Sequence, residues 1–295
     1  MVTKEVEQGY PPDNLSVSKQ VSVIICVRNG EKILQDCLAS TVKSNPGEIV
    51  VVDGLSTDNT IAVANSFPGV RVISDEGKGL AYARRVGVQH ALGKYILFVG
   101  PDNIMDENFI RDFVQLKREW GFDAASVQTR VFEPKTYWDI GLDFRWSCLM
   151  GTPGPLKVVG TPSLYDTRLF QEVKFSEQNL GPSDDTDVAD QLTAKGFKLG
   201  LIPLVVYDQN GWTAATTWNR FKWYGTGDFY YFNKYRNNWT LRRKLFSISH
   251  PLRQTWFYTL RALKKFNFTP IPWLMYTMWA RYYGWINLSF KARKK

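Results

Sequence analysis

The sequence predicts an α/β fold: a mostly parallel, doubly wound sheet flanked by helices, with amphipathic helices added at the C-terminus. Three observations predict it. Short apolar runs rich in β-branched residues (Val21–Val27, Val50–Val52, Tyr95–Val99) recur between stretches of helical spacing. Polar residues close the second and third runs, Asp53 after one and Gly100-Pro101-Asp102-Asn103 after the other. Strands that alternate with helices build a parallel sheet, and such sheets bind ligands outside the carboxyl ends of their strands. Asp53 and Asp102 are therefore expected at one crevice, a place for a nucleotide and a metal.

The elements follow in order. Residues 1–20 are polar and lack an apolar core, so they read as a loose leader and not a signal peptide. Val21–Val27 is the first strand. Ile33–Val42 fits a helix, ended by Asn45-Pro46-Gly47. Glu48–Val52 is a strand, Thr57–Phe67 a helix and Val70–Ile73 a third strand. Leu80–Leu92 is a helix closed by Gly93, and Tyr95–Val99 is the fourth strand. Residues 104–180 are expected to mix one helix with short strands. Thr186–Lys195 reads as a helix ended by Gly196, and the remainder as helical and aromatic. The division expected is a leader over 1–20, an α/β domain over 21–235 and a basic aromatic region over 236–295.

At 295 residues the chain holds one large domain with an appendage. Cys26, Cys37 and Cys148 show neither paired nor metal-type spacing, which argues for a reducing compartment and against a disulfide scaffold. Charge is unevenly divided. From Phe229 to Lys295 there are 14 Lys or Arg and no Asp or Glu; taking those 14 from the total of +9 leaves −5 for residues 1–228. The same tail holds 19 of the 43 aromatic residues, so the basic character belongs to the tail.

Five short motifs stand in a fixed order: Arg28-Asn29-Gly30-Glu31, Asp53-Gly54-Leu55-Ser56-Thr57-Asp58-Asn59-Thr60, Gly79 to Arg84, Gly100 to Asn103, and Asp184-Asp185-Thr186-Asp187. In order and spacing, over roughly residues 20–235, this set resembles the inverting glycosyltransferases of family two, whose GT-A fold is a Rossmann-like, mostly parallel sheet. The resemblance extends to membrane-associated enzymes of the dolichyl-phosphate-mannose-synthase kind. It implies a nucleotide site at Val27, Arg28, Glu31, Asp53, Ser56 and Asp58, with Arg84 at the diphosphate or bracing a metal-binding acid, and Arg220 and Lys222 clamping the diphosphate. Asp102 is the implied ligand of Mn²⁺ or Mg²⁺, helped by Asn103, because Gly100 stands where the family has the first acid of D-x-D. Such ions take oxygen ligands, and one or two carboxylates suffice beside substrate phosphates. Each acid also has a plain reading as a turn former or helix cap.

Three acids in four residues, Asp184, Asp185 and Asp187, repel one another, which raises the pKa of at least one and suits it to general-base work. By resemblance Asp185 is the base, while Gly160, Thr161, Asp184 and Asp187 line the acceptor site. The segment Gly77-Lys78-Gly79 follows a strand and opens a helix, but it lacks the third glycine of a dinucleotide fingerprint.

On a helical wheel Leu252, Trp256, Leu260 and Leu263 share a side, with Arg253, Arg261, Lys264 and Lys265 mostly opposite. Between Trp273 and Phe290 a wide apolar face leaves a narrow polar stripe that includes Arg281. Basic amphipathic helices rich in Trp and Tyr lie in the bilayer interface, and Lys291 to Lys295 add attraction to anionic lipid. In-plane anchoring is favoured over a membrane span or core packing. No nucleic-acid motif accompanies the basic residues, so nucleic acid is not an expected partner. The reading is a metal-dependent inverting glycosyltransferase at the cytoplasmic face of the cell membrane, peripheral or monotopic. The resemblance points to GDP-mannose as donor, with a polyprenyl phosphate or lipid-linked glycan as acceptor. Alternatives are a UDP-glucose or UDP-N-acetylglucosamine transferase acting on a glycan, a non-catalytic nucleotide-sugar-binding scaffold, and a dehydrogenase.

Overall fold

A run of Val and Ile is stable as a strand only when both faces are covered, and β1 (Val21–Val27) is buried along nearly all its length. The computed structural model describes residues 16–177 and 180–293. Most of the expected leader lies outside those residues; its last part, Val17–Gln20, is a 3₁₀ turn that buries Ser18 and Gln20 against the domain. On either side of β1 run β2 (Glu48–Asp53) and β4 (Tyr95–Val99), with β3 (Val70–Ser74) beyond β2; all four are parallel. The connecting helices are α1 (Leu34–Lys43), α2 (Thr60–Asn65) and α3 (Leu80–His90). α2 starts later than expected because Thr57 caps a turn instead: its backbone N–H donates to Asn29 Oδ1 at 2.9 Å.

Next come β5 (Asn103–Ile104), α4 (Phe109–Glu119), β6 (Ala124–Val131), α5 (Tyr137–Leu149), β7 (Gly154–Pro155), β8 (Ser163–Asp166) and the short α6 (Leu169–Glu172). This stretch thus holds three helices where the sequence led us to expect one. α7 (Asp184–Ala194) begins two residues early, which puts Asp184 and Asp185 in its first turn. β9 (Leu199–Asp208) was read as helical. Pro203 interrupts its apolar pattern and sits where the pairing register with β6 shifts, as Pro in a strand must. The sheet order is β3-β2-β1-β4-β8-β6-β9-β5, with β7 on β9. The order reverses between β1 and β4, and their carboxyl ends open the crevice.

The C-terminal helices are α8 (Ala214–Tyr235), α9 (Leu241–Ile248), α10 (His250–Lys264) and α11 (Pro270–Arg293). α11 lies directly on α8. A Cβ added to Gly225 would strike the Arg281 carbonyl, and one added to Gly284 the Lys222 carbonyl, so the two backbones touch. The Arg281 guanidinium forks onto Asp228 of α8, and Trp273, fully buried, packs edge-on against Phe221. Arg281 is therefore paired inside the protein and does not edge a polar stripe toward solvent. Among the described residues no helix is long and apolar enough to cross a membrane.

Candidate active site

The nucleotide side is built where β1 and β2 end together. Gly54 N–H donates to Val27 O at 2.8 Å, which ties the two strand ends. Asp53 Oδ2 accepts from Ser56 N–H at 3.0 Å, while Oδ1 is buried without a partner. A buried carboxylate oxygen left unpaired costs about 1–3 kcal/mol or more, so this atom calls for a donor from a ligand. Arg28 is exposed at the mouth. Glu31, Ser56 and Asp58 each already hold backbone N–H groups of the facing turn. Glu31 Oε2 accepts from Asn59 N–H (3.0 Å), Ser56 Oγ from Asn29 N–H (2.9 Å), and Asp58 from Glu31 N–H (3.2 Å) and Thr60 N–H (3.1 Å). The hydrogen bond from Thr60 is the main reason Asp58 stays below its usual range. These three fasten the 28–31 turn to the 56–60 turn.

The acceptor side hangs on Arg84 of α3. Its Nη1 donates to Asp184 Oδ1 at 2.8 Å and its Nη2 to Thr161 Oγ1 at 2.6 Å. The guanidinium is nearly buried and stacks over Phe98 of β4, 5.6 Å from the ring centroid. Arg84 thus braces the acceptor acids, joining the 160–161 loop to the start of α7, and is not free to clamp a diphosphate. Gly160 is fixed by Ser126 Oγ, which donates to its carbonyl at 2.5 Å. A Cβ on Gly160 would stand 3.5 Å from Asp185 Oδ2. Asp185 Oδ1 accepts from Thr186 N–H at 2.6 Å, and Oδ2 has no partner among the described residues. Burial pushes the Asp184 carboxyl up to about 6 against the pull of Arg84, and burial raises Asp185 too. Asp187 leaves the acceptor set. It is fully buried and bound by Lys234 Nζ at 2.6 Å and by the Tyr235 hydroxyl, so it pins the end of α8 to α7.

The third cluster surrounds Asp102. Arg220 of α8 donates Nη1 to Asp102 Oδ2 at 2.9 Å, and the same nitrogen lies 4.0 Å from Asp208 Oδ2. Asp208 ends β9 and was missing from the sequence reading. It accepts from Asn103 Nδ2 (2.7 Å) and Trp146 Nε1 (2.9 Å). Burial first, and then Asp102, raise its carboxyl to about 7. Asn103 is buried and its amide ties the loop to β9: Oδ1 accepts from Gly100 N–H at 2.8 Å and Nδ2 donates to Asp208. Lys222 is two residues from Arg220, about 200° around the helix, so the two cannot face one site.

Two carboxylates converging on one positive group make a cation site of two oxygen donors, and substrate phosphates would complete the set. Arg220 fills that place in this arrangement. Among the described residues no group of three or more His, Cys, Asp or Glu could hold a metal unaided. The only sequence signal for Asp208 was its place at the end of an apolar run, and Pro203 obscured that run.

Residues 22–168 match the family model "Glycosyl transferase family 2". Over those residues the chain belongs to glycosyltransferase family 2. A glycosyltransferase, GlyG, of Streptococcus pneumoniae is 34% identical over 116 residues, covering 37% of this chain and 38% of that one. A PGL/p-HBAD biosynthesis glycosyltransferase of Mycobacterium bovis is 39% identical over 93 residues, 29% of this chain and 36% of that one. The chain thus spans less than two fifths of the length of these relatives. Among solved structures, S. aureus TarS 1-349 aligns with a TM-score of 0.51 at 16% identity, covering 93% of this chain and 91% of that one. The same protein in complex with UDP-GlcNAc aligns with a TM-score of 0.51 at 15% identity over the same shares. The fold is that of a GT-A glycosyltransferase.

Proposed function

We propose that the chain transfers a sugar from a nucleotide-diphosphate sugar to a lipid-linked acceptor, with inversion, by a single in-line displacement. The observation that carries this reading is the set of acids at the carboxyl edge of the sheet. Among the described residues Asp53 Oδ1 and Asp184 Oδ2 are buried without a partner, Asp185 binds its own helix start through Oδ1 alone, and Asp102 faces Asp208 across a single cation. Asp53 Oδ1 accepts an N–H from the base edge, which guanine and uracil both supply. Asp185 Oδ2 takes the proton of an acceptor hydroxyl as its oxygen attacks the anomeric carbon and the nucleoside diphosphate leaves from the opposite face. A phosphate acceptor is already ionised, and Asp185 then positions it. Gly160 leaves room for that approach, and Arg84 holds Asp184 and Thr161 beside it. Asp102 and Asp208 would hold Mn²⁺ or Mg²⁺, which when bound neutralises charge on the departing diphosphate. Arg220, released from Asp102, supplies a second positive charge to the same group.

The resemblance to lipid-phosphate mannosyltransferases favours GDP-mannose, and the UDP-GlcNAc complex of TarS favours a uridine donor. The deciding experiment is a donor panel with Mn²⁺ and a short polyprenyl phosphate, following nucleoside diphosphate release from GDP-mannose, UDP-glucose and UDP-N-acetylglucosamine. Release from one donor, lost on chelation, supports the reading. An absence of nucleotide binding would overturn it.

A further inference from the structure

We infer that the outer face of α9 and α10, with the turn that follows α10, docks on a bilayer containing anionic lipid. α9 buries none of its residues. Leu241, Leu245 and Ile248 are exposed at spacings of four and three, one stripe of the helix, with Leu241 at 72%. α10 turns Pro251, Thr255, Tyr258 and Ala262 inward and leaves Leu252, Trp256, Leu260 and Leu263 outward, Trp256 at 62% exposure. Tyr258 and Ala262 join the core, so α10 is apolar on both faces and its outward stripe has no cover among the described residues. Exposed apolar stripes on two successive helices mark an interaction site.

The turn after α10 adds an independent observation. Phe266 is 85% exposed and has φ of +51°. A bulky side chain in the left-handed region is strained, and glycine is the usual residue just past a helix end. Keeping an exposed Phe there costs stability on folding, and insertion into an apolar phase gives it a use.

Charge decides the occupant. Arg242, Arg243, Lys264 and Lys265 flank the stripe, and no acid follows Asp228 in the chain. Two copies pairing through this face would set cations against cations with no acid to answer them. A surface of anionic headgroups over hydrocarbon answers both the charge and the aromatic side chains. α11 takes no part as a span, since Arg281 is paired with Asp228. The inference goes beyond the transfer reaction and stands without it.

The test is co-sedimentation of the full chain with phosphatidylcholine vesicles, with and without phosphatidylglycerol, beside the variant Phe266→Gly/Trp256→Ser. Both positions are exposed, and the glycine relieves the backbone, so the melting temperature of the variant should not fall. The expected result is wild-type binding that needs phosphatidylglycerol, is only partly lost in high salt, and is on the order of tenfold or more weaker in the variant. Equal pelleting of variant and wild type would overturn the inference. So would no pelleting with either vesicle, or a wild-type dimer by light scattering that the same variant breaks, which would give the face to a second copy. Vesicle binding needs no turnover, so a chain that binds vesicles but releases no nucleotide would sink only the transfer reading.

Discussion

Arg220 reaches Asp102 across 118 residues of sequence, N to O at 2.9 Å, and stands 4.0 Å from Asp208 with the same nitrogen. One guanidinium therefore binds Asp102 and sets its charge beside Asp208, the two acids that a divalent cation would use. Arginine and metal compete for the same oxygens. Arg220→Ala should leave the partly exposed Asp102 and the buried Asp208 without the positive charge between them, so the apoprotein should melt lower. Mn²⁺ should bind the variant more tightly than wild type and raise its melting temperature more. Transfer should nonetheless fall by roughly 10²–10³-fold, because a charge on the leaving group is lost. Mn²⁺ titration followed by thermal unfolding, beside initial rates, checks both halves. A variant that binds Mn²⁺ no better than wild type would refute the competition.

Gly100 stands where the family has an acid, and the loop shows why restoring it should fail. A Cβ there would lie 2.7 Å from Asp102 Oδ1 and 2.9 Å from Asn103 Oδ1, while Gly100 N–H holds the Asn103 side chain. Gly100→Asp must push both aside and adds a third carboxylate to the pair. We expect lower stability and a transfer rate below wild type at every Mn²⁺ concentration. A rate above wild type would show that the loop opens freely.

Asp185→Asn should lower transfer to a hydroxyl acceptor by roughly 10²–10⁴-fold and leave nucleotide affinity unchanged. A general base works only when ionised. Burial raises the Asp185 carboxyl above its ordinary range, so kcat/KM should climb with pH over a window shifted above that of a free carboxylate and level off beyond it. Stability moves the other way. A buried acid raised above its unfolded value of 3.8 keeps a proton that the unfolded chain releases, so stability falls as pH rises from 3.8 to about 6. Asp184→Asn should flatten that fall, which urea midpoints at either end of the window would measure.

Much of this was legible in the sequence because it depends on short-range pattern. The parallel strands, Asp53 at a strand end and Asp185 at a helix start all follow from apolar runs closed by polar residues. What escaped depends on distant partners. Nothing near Arg84 announces that it will meet Asp184, and nothing near Asp187 announces Lys234 and Tyr235. Glu31, Ser56 and Asp58 also hold backbone N–H groups of the facing turn, bonds that a one-dimensional pattern does not show. Arg281 seemed to edge an amphipathic helix because the wheel treats a helix as isolated, and Asp228 lies on another helix.

The contact between α8 and α11 joins the outer helices to the site. Lys222, whose carbonyl touches Gly284, is two residues from Arg220, and Gly225 faces the carbonyl of Arg281. Gly284→Ala adds only one methyl, but it adds it against backbone, which cannot rotate away as a side chain can. Intrinsic helix propensity predicts the opposite sign, since Ala is better than Gly by about 1 kcal/mol in a helix interior. Overpacking a closed contact costs typically about 1–3 kcal/mol, so the steric effect should win and the protein should unfold earlier. Ala at the exposed Asn287 of the same helix supplies the control, where propensity acts alone and stability should hold or rise. Because α8 carries Arg220, the displaced helix should also loosen its grip on Asp102. Gly284→Ala should therefore show a smaller version of the Mn²⁺ behaviour of Arg220→Ala. A variant as stable as wild type, with unchanged Mn²⁺ affinity, would show that the two helices are not locked together at this crossing.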